Sequence, residues 1–372
     1  MFKYTNILLA FFVLFFTAFL LKDQQKFFLR EEQKLRDQCP PTKCPETEAM
    51  DAPVKTITGE DDDSEDVKED DSQMPTFDDP PTKGEREARD RLIGKTCPEV
   101  FERWLVTANK TPAEKPPVEI PDEFWNEYTL FGRIPIGRGY IDHRLASVND
   151  RVGPTAKKWT GIDKQFEPGA GMFAGATYGH QTKVVLDALQ MFEKYIKGKN
   201  GAVIGSQRPW AEVFALKAGA ASVLTIEYQE LEIETKQPMK WIHPVKLAKE
   251  WTSYEETFDF MISFSSLEHS GLGRYGDPLD PWGDVREMAK VLCLLKNRGL
   301  MIVGFPVGSD AVIWNAHRIY GAIRLPWMIQ GFRLLGVFWY DDKTRVVFTE
   351  GFPEGKLKLS GIRQPAIVLQ KI

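Results

Sequence analysis

The residues best suited to chemistry lie in three short stretches of the second half of the chain: Gly205 with Ser206 and Gln207, Glu227, and Ser265 to His269. Each stretch follows a short apolar run, where a strand of an open α/β sheet must end and turn. Glu227 comes 22 positions after Gly205, close to the interval at which an acidic residue reaches a ribose hydroxyl pair. A turn glycine followed by a surface carboxylate at a strand end is the competing reading of the same pair. Glu268 and His269 follow the run Phe258 to Phe264. A neutral imidazole can remove a hydroxyl proton near neutral pH, which makes His269 a candidate base. Glu268 then orients the ring or binds a sugar hydroxyl. A histidine bonded within its turn beside an ordinary exposed carboxylate is the alternative.

Three more carboxylates, Asp277, Asp280 and Asp284, lie close together after Arg274 and Tyr275. Their spacing is not that of a calcium loop, and no metal is expected. Asp284 with Glu287 three residues later reads as a capping box opening a helix. Asp277 and Asp280 read as solvated loop acids or substrate contacts. Asn315, His317 and Arg318 read as helix-surface polarity, or as acceptor contacts in the same crevice.

These residues need a scaffold, and the apolar pattern supplies one. Val184, Val185, Ala188, Leu189, Phe192, Tyr195 and Ile196 recur at helical spacing, with Gly198 placed to stop the helix. Strands are expected at Ala202 to Ile204, Ser222 to Tyr228, Phe258 to Phe264 and Leu300 to Phe305, with helices at Trp210 to Ala218 and Asp284 to Lys296. Two late strands, Phe332 to Tyr340 and Ala366 to Leu369, have no long helix between them. The alternation predicts an α/β fold: a Rossmann-like doubly wound, mostly parallel sheet with an antiparallel edge, over residues 180–372.

The rest of the chain is organised differently. Ile7 to Leu21 is apolar apart from Thr17, and with Tyr4 to Asn6 the uncharged stretch reaches 18 residues, just enough to cross a thin bilayer. Residues 1–22 are read as a membrane anchor of a single-pass protein; a cleaved signal peptide is the competing reading. Residues 23–95 are charged, with an acidic tract from Glu60 to Asp71, and are read as a disordered stem. Residues 96–179, rich in aromatics, Gly and Pro, are read as an irregular lobe or lid. The net charge of −5 shows no basic footprint, so no nucleic-acid partner is expected. Lysines and arginines after the anchor favour a cytosolic body. Asn109-Lys110-Thr111 and the Cys39–Cys44 pair favour a luminal one in the Golgi or endoplasmic reticulum, and that side is preferred here.

The order "AVIGSQRPWAE", "ASVLTIEY", "FDFMISFSSLEHSG", "MAKVLCLLKNRGLMIVGFPVG" resembles the successive motifs of class I S-adenosylmethionine-dependent methyltransferases, over roughly Gly198 to Val307. "SLEHSGLGRYGDPLDPWGD" and "NAHRIYGAIRLP" are similar to a nematode-rich family catalogued as a domain of unknown function. The first resemblance implies S-adenosylmethionine as cofactor, held by Gly205, Ser206, Gln207, Glu227 and Ser265, with methyl transfer at His269 and Glu268. The acceptor would be a glycan or other secretory-pathway molecule. The family's loop carries two or three glycines, whereas Gly205 here precedes Ser206, Gln207, Arg208 and Pro209. Either Ser206 or Gln207 supplies a side-chain hydrogen bond in place of the missing glycines, or the domain keeps the fold without the cofactor.

A luminal body predicts an endoglycosidase-sensitive mobility shift of the full chain that disappears in Asn109→Gln. An unshifted wild-type chain places Asn109 on the cytosolic side.

Overall fold

The structure is a computed structural model that describes residues 80–108, 116–141, 156–170, 178–275, 277–340, 345–352 and 364–372. The chain divides into two compact units, and the described residues all belong to the one that begins at Asp71. The anchor, the acidic tract, Cys39, Cys44 and Asn109 lie outside the described residues. Among the described residues no helix is long and apolar enough to cross a membrane.

Helices at Lys83–Leu92 and Cys97–Ala108 open the described chain, followed by two three-residue strands, β1 (Ile136–Arg138) and β2 (Lys157–Trp159). The helix Lys183–Met191 buries Val184, Val185, Ala188 and Leu189 on one face. Gly198 then adopts φ +70°, a left-handed turn that glycine takes without strain. The chain continues through β3 (Asn200–Ile204), a helix at Trp210–Lys217, β4 (Ser222–Ile226), β5 (Leu231–Ile233), β6 (Met239–Ile242), a helix at Pro244–Lys249, β7 (Phe258–Phe264), a helix at Gly283–Leu294 and β8 (Leu295–Gly304). A hairpin of β9 (Ala311–Trp314) and β10 (His317–Ile319) precedes β11 (Phe332–Tyr340), β12 (Val346–Thr349) and β13 (Ala366–Lys371).

Eight strands form one mixed sheet in the order β12-β11-β13-β8-β7-β3-β4-β6. From β6 to β8 the pairs are parallel; β13 runs antiparallel between β8 and β11. The expected antiparallel pair is therefore present, with β13 inserted inside the edge. From β3 the chain moves outward to β4 and β6, then returns across β3 to β7. Strand order reverses between β3 and β7, and in open α/β sheets ligands bind beyond the C-terminal ends of the strands at such a point. Alternate residues of the central strands face opposite layers. Met261 joins one apolar cluster while Phe260 and Ile262 join the other.

The first cluster also takes in Phe101, Trp104, Tyr128 and Ile134, so the helix Cys97–Ala108 and the segment around Tyr128 share a core with the sheet. A disulfide joins Cys97 to Cys293 across 196 residues, with Cα atoms 5.7 Å apart; it ties the helix Cys97–Ala108 to Gly283–Leu294.

Two expectations are corrected. Asp284 is not a helix cap: the N-cap position is Trp282, with no side-chain cap bond. Asp284 is fully buried and accepts from Arg324 Nε at 2.8 Å and Nη2 at 2.6 Å and from the Tyr320 hydroxyl at 2.9 Å. Burial alone would raise its carboxyl; the Arg318 and Arg324 charges outweigh that and hold it at about 2. Asn315, His317 and Arg318 are not helix-surface polarity either. They are buried in the β9–β10 hairpin, where β-branched Val312 and Ile313 favour extended chain.

Removing one partner of a buried ion pair leaves uncompensated charge in the core. Asp284→Ala should therefore lower the unfolding free energy at pH 7 by about 3 kcal/mol or more, read by denaturant melts. With a depressed carboxyl, the wild-type advantage is present above pH 3.8 and is lost as pH falls through about 2.

Candidate cofactor crevice and proton-transfer pair

At the end of β3, Gly205 has φ +71°. A Cβ there would lie 1.8 Å from Ser266 Oγ, so only glycine lets the β3 and β7 loops meet at this point. The space freed by the missing side chain is filled by Ser266. Ser206 turns its hydroxyl inward, 2.8 Å from Arg208 O and 3.1 Å from Glu212 Oε2. Glu212 is fully buried and also accepts from Thr225 Oγ1 at 3.0 Å; burial pushes its carboxyl up to about 7. The Ser206 side chain is thus committed to the interior. Its backbone N–H bonds the Glu227 carboxyl. Gln207 and Arg208 are exposed, and Trp210 is buried against Phe214 and Phe264 at centroid distances of 5.6 Å each.

Glu227 is the first residue beyond β4. Its carboxylate accepts from the Gln229 amide at 3.2 Å, and Trp241 Nε1 donates to its carbonyl at 2.8 Å. Burial pushes the carboxyl up to about 6, against the pull of nearby amides and Lys157. Glu227 and Tyr228 are both closely surrounded by protein, yet solvent still reaches them; Tyr228 is 38% exposed. That combination marks a concave wall. Tyr228 meets the His243 ring edge-on at 5.4 Å.

Beyond β7, Ser265 takes φ +56° and donates its hydroxyl to Glu268 Oε1 at 2.9 Å. Glu268 is 1% exposed, its Oε2 has no hydrogen-bond partner, and burial pushes its carboxyl up to about 7. His269 Nδ1 lies 2.7 Å from Ala316 O. A carbonyl only accepts, so Nδ1 carries the proton and Nε2 is the basic nitrogen, 3.6 Å from Glu268 Oε1. Arg274 Nη1 donates to the same carbonyl at 2.9 Å. Tyr275 packs edge-on to His269 at 5.6 Å. Burial raises the Tyr275 hydroxyl, and the charges of Glu268, Asp277 and Glu227 all reach it. Tyr275 thus lies within reach of Glu227, which follows β4, and of Glu268, which follows β7. Tyr178, bonded to Ser265, lies beside Phe264 at 5.4 Å.

Asp277 and Asp280 are not solvated loop acids. Asp277 accepts from the amides of Gly271, Gly273 and Tyr275 at 2.8, 3.1 and 3.2 Å and so shapes its loop. Asp280 is buried and pairs with Arg286 Nε at 2.7 Å. His317, 6.5 Å from the His269 ring, is pushed down to about 4 by burial and Arg274, and is neutral at pH 7. Among the described residues no group of three His, Cys, Asp or Glu could hold a metal. Sequence reasoning passed over Glu212, Tyr178, Tyr228 and Tyr275; Tyr228 follows Glu227 directly, and Tyr275 sits within a quoted motif.

Residues 198–372 match the family described as Caenorhabditis protein of unknown function, DUF268. No curated protein matches the chain. Solved structures with a similar arrangement include three methyltransferases. The 1,6-didemethyltoxoflavin-N1-methyltransferase of Burkholderia thailandensis is 14% identical, with a TM-score of 0.35, over 51% of this chain and 78% of its own. An S-adenosylmethionine-dependent methyltransferase of Mesorhizobium loti is 13% identical, with a TM-score of 0.33, over 52% and 99%. The N-methyltransferase NodS of Bradyrhizobium japonicum is 12% identical, with a TM-score of 0.33, over 52% and 94%.

Glu212 yields a stability prediction. Its folded carboxyl lies above its ordinary value of 4.5, so its contribution is full below pH 4.5 and is lost as pH rises through about 7. Glu212→Gln should therefore melt higher than wild type at pH 8, by roughly 2–3 kcal/mol, and show no such gain at pH 4.

Proposed function

We propose that this domain is an S-adenosylmethionine-dependent methyltransferase that methylates a hydroxyl of a glycan or other secretory-pathway acceptor. The observation that carries the reading is that Glu227 after β4 and Glu268 and His269 after β7 flank the strand-order reversal at β3, with both carboxyls within reach of Tyr275. The residues fit the nucleoside end of such a cofactor. A carboxylate has about four acceptor positions, so Glu227 can hold a ribose diol while keeping its backbone bonds. The solvent-reachable Tyr228 ring offers an apolar face beside it. With the Ser206 hydroxyl turned inward, Gln207 is the loop side chain left to reach a ligand. When bound, the cofactor supplies an electrophilic methyl group. The chain's own part is to hold the acceptor, exclude water and take its proton, with His269 Nε2 as the accepting atom.

The second reading is a Rossmann-like, membrane-anchored binding module without cofactor. One observation favours it: Ser266 fills the space that Gly205 leaves open. Under this reading Glu227→Ala and His269→Ala leave the protein's cellular role intact.

A luminal body remains part of the proposal, anchored by residues 1–22 in the Golgi or endoplasmic reticulum. The Cys97–Cys293 disulfide supports it, since such bonds persist in oxidising compartments. Cofactor would then have to be imported from the cytosol.

Calorimetry of the full chain should show binding of S-adenosylmethionine and S-adenosylhomocysteine. Glu227→Ala should weaken it by about ten- to a hundredfold, as befits losing hydrogen bonds to a charged group. Because ionised Glu227 is the form that accepts, affinity should fall as pH drops through about 6. An absence of heat at any pH removes the enzyme reading.

A further inference from the structure

Glu268 is buried, and the basic nitrogen of His269 lies 3.6 Å from its Oε1. The His269 ring is fixed by Nδ1–H to Ala316 O, and Arg274 Nη1 lies 3.2 Å from that same Nδ1. Both nitrogens carry protons, so the contact sets a guanidinium beside the protonated nitrogen of the ring and leaves Nε2 as its basic atom. Glu268 is buried beneath the ring, with Oε1 held by Ser265 and Oε2 lacking any partner. Burial favours its neutral acid.

We propose that the proton removed from the acceptor comes to rest on Glu268, so that Glu268 and His269 work as one accepting unit and finish as a neutral acid beside a neutral imidazole. The source of the proton rests on the methyltransferase reading; the pairing itself does not. In the step, the acceptor O–H bond breaks as its oxygen bonds the methyl carbon. The carbon–sulfur bond breaks with its electron pair left on sulfur, and the proton passes through His269 Nε2 to Glu268. The resting separation of 3.6 Å is longer than a hydrogen bond; such contacts commonly tighten when substrate binds. Among the described residues the charged and titratable groups around the pair include Arg274, Arg318, Tyr178, Tyr275, Tyr320 and His317. Burial outweighs the two arginines and brings the Glu268 carboxyl up to about 7, so both of its forms are populated at neutral pH. The unit therefore suits an acceptor that must lose a proton, a hydroxyl rather than a neutral amine already free to attack.

The test is infrared titration of the full chain in detergent, wild type minus Glu268→Gln. Subtraction is needed because Glu212 and Glu227 titrate in the same region. Selective ¹⁵N-histidine resonances would be followed in parallel. The proposal predicts a protonated-carboxyl band belonging to Glu268 with a midpoint near pH 7 and no protonation of the His269 ring accompanying it. Ser265→Ala, which keeps both members of the pair, should move the midpoint upward, because the Ser265 hydrogen bond lowers it; it serves equally if Glu268→Gln fails to fold. Glu268→Gln should leave the affinity for S-adenosylhomocysteine unchanged, read by calorimetry of the full chain. A Glu268 that titrates near 4.5, or a His269 that takes the proton near pH 7, overturns the proposal. A carboxyl band near pH 7 in a protein that binds no S-adenosylmethionine keeps the pair and removes the methyltransferase reading. Cofactor binding with Glu268 ionised at pH 6 does the reverse.

Discussion

Asp284, held ionised between Arg318 and Arg324 in the dry interior, is the interaction on which the far wall of the crevice depends. Arg318 rises from the β9–β10 hairpin and donates to Ser270 O at 2.7 Å and to Glu268, Asp280 and Pro281 carbonyls at 3.3–3.4 Å. Arg324 donates to Pro281 O at 2.8 Å. Two arginines thus knit the loop from Glu268 to Pro281 onto the hairpin and onto the helix that carries Asp284. Neither guanidinium could stay buried without that carboxylate. Tyr128 reinforces the loop by donating to Gly271 O, which brings the first lobe into the same brace. The Cys97–Cys293 disulfide fastens that lobe to the helix of Asp284.

On this brace the crevice is built by contrast. Asp284 is buried with cations and stays charged; at Glu212, Glu227 and Glu268 desolvation outweighs the nearby donors and cations and moves the carboxyls to about 6 or 7. Three acids poised near neutral pH around the end of one sheet are unusual for surface carboxylates, and environments that tune acids to the working pH are what proton transfer needs. The first turn of the crevice is less open. Gly205 serves the meeting of two loops, and the Ser206 hydroxyl serves Glu212. Whatever this turn offers a ligand comes from backbone and from Gln207.

Much of the sheet was legible because its signal is local. The strands at Phe258–Phe264 and Phe332–Tyr340 fall where the apolar runs place them, and Gly219, at positive φ, follows the helix Trp210–Lys217 as its position implies; the helix expected to run on to Gly198 instead stops at Met191, and a short 3-10 turn at Glu193–Tyr195 carries Tyr195. β5 and β6 were not legible: "LEI" and "MKWI" are too short and too mixed to stand out, and they are fixed by pairing with β2 and β4. The hairpin at Ala311–Ile319 hid its buried Asn315, His317 and Arg318, because polarity reads as surface until distant partners are known. For the same reason Asp284 looked like a helix cap: its spacing to Glu287 fits one, while Arg324 lies forty residues away. The Cys97–Cys293 pairing spans too much chain to be deduced from two positions. The arrangement of Glu227 and Glu268 around one crevice rests on strand order, which spacing alone does not give.

The central claim is that the crevice between the β3, β4 and β7 ends holds an adenosyl group. Hydrogen exchange of the full chain with and without S-adenosylhomocysteine tests it most directly. The account predicts slowed exchange confined to the Gly205–Gln207 turn, Tyr228 and its neighbours, and the Ser265–His269 turn. Unchanged exchange in all three segments at saturating ligand, or protection only elsewhere, would contradict it.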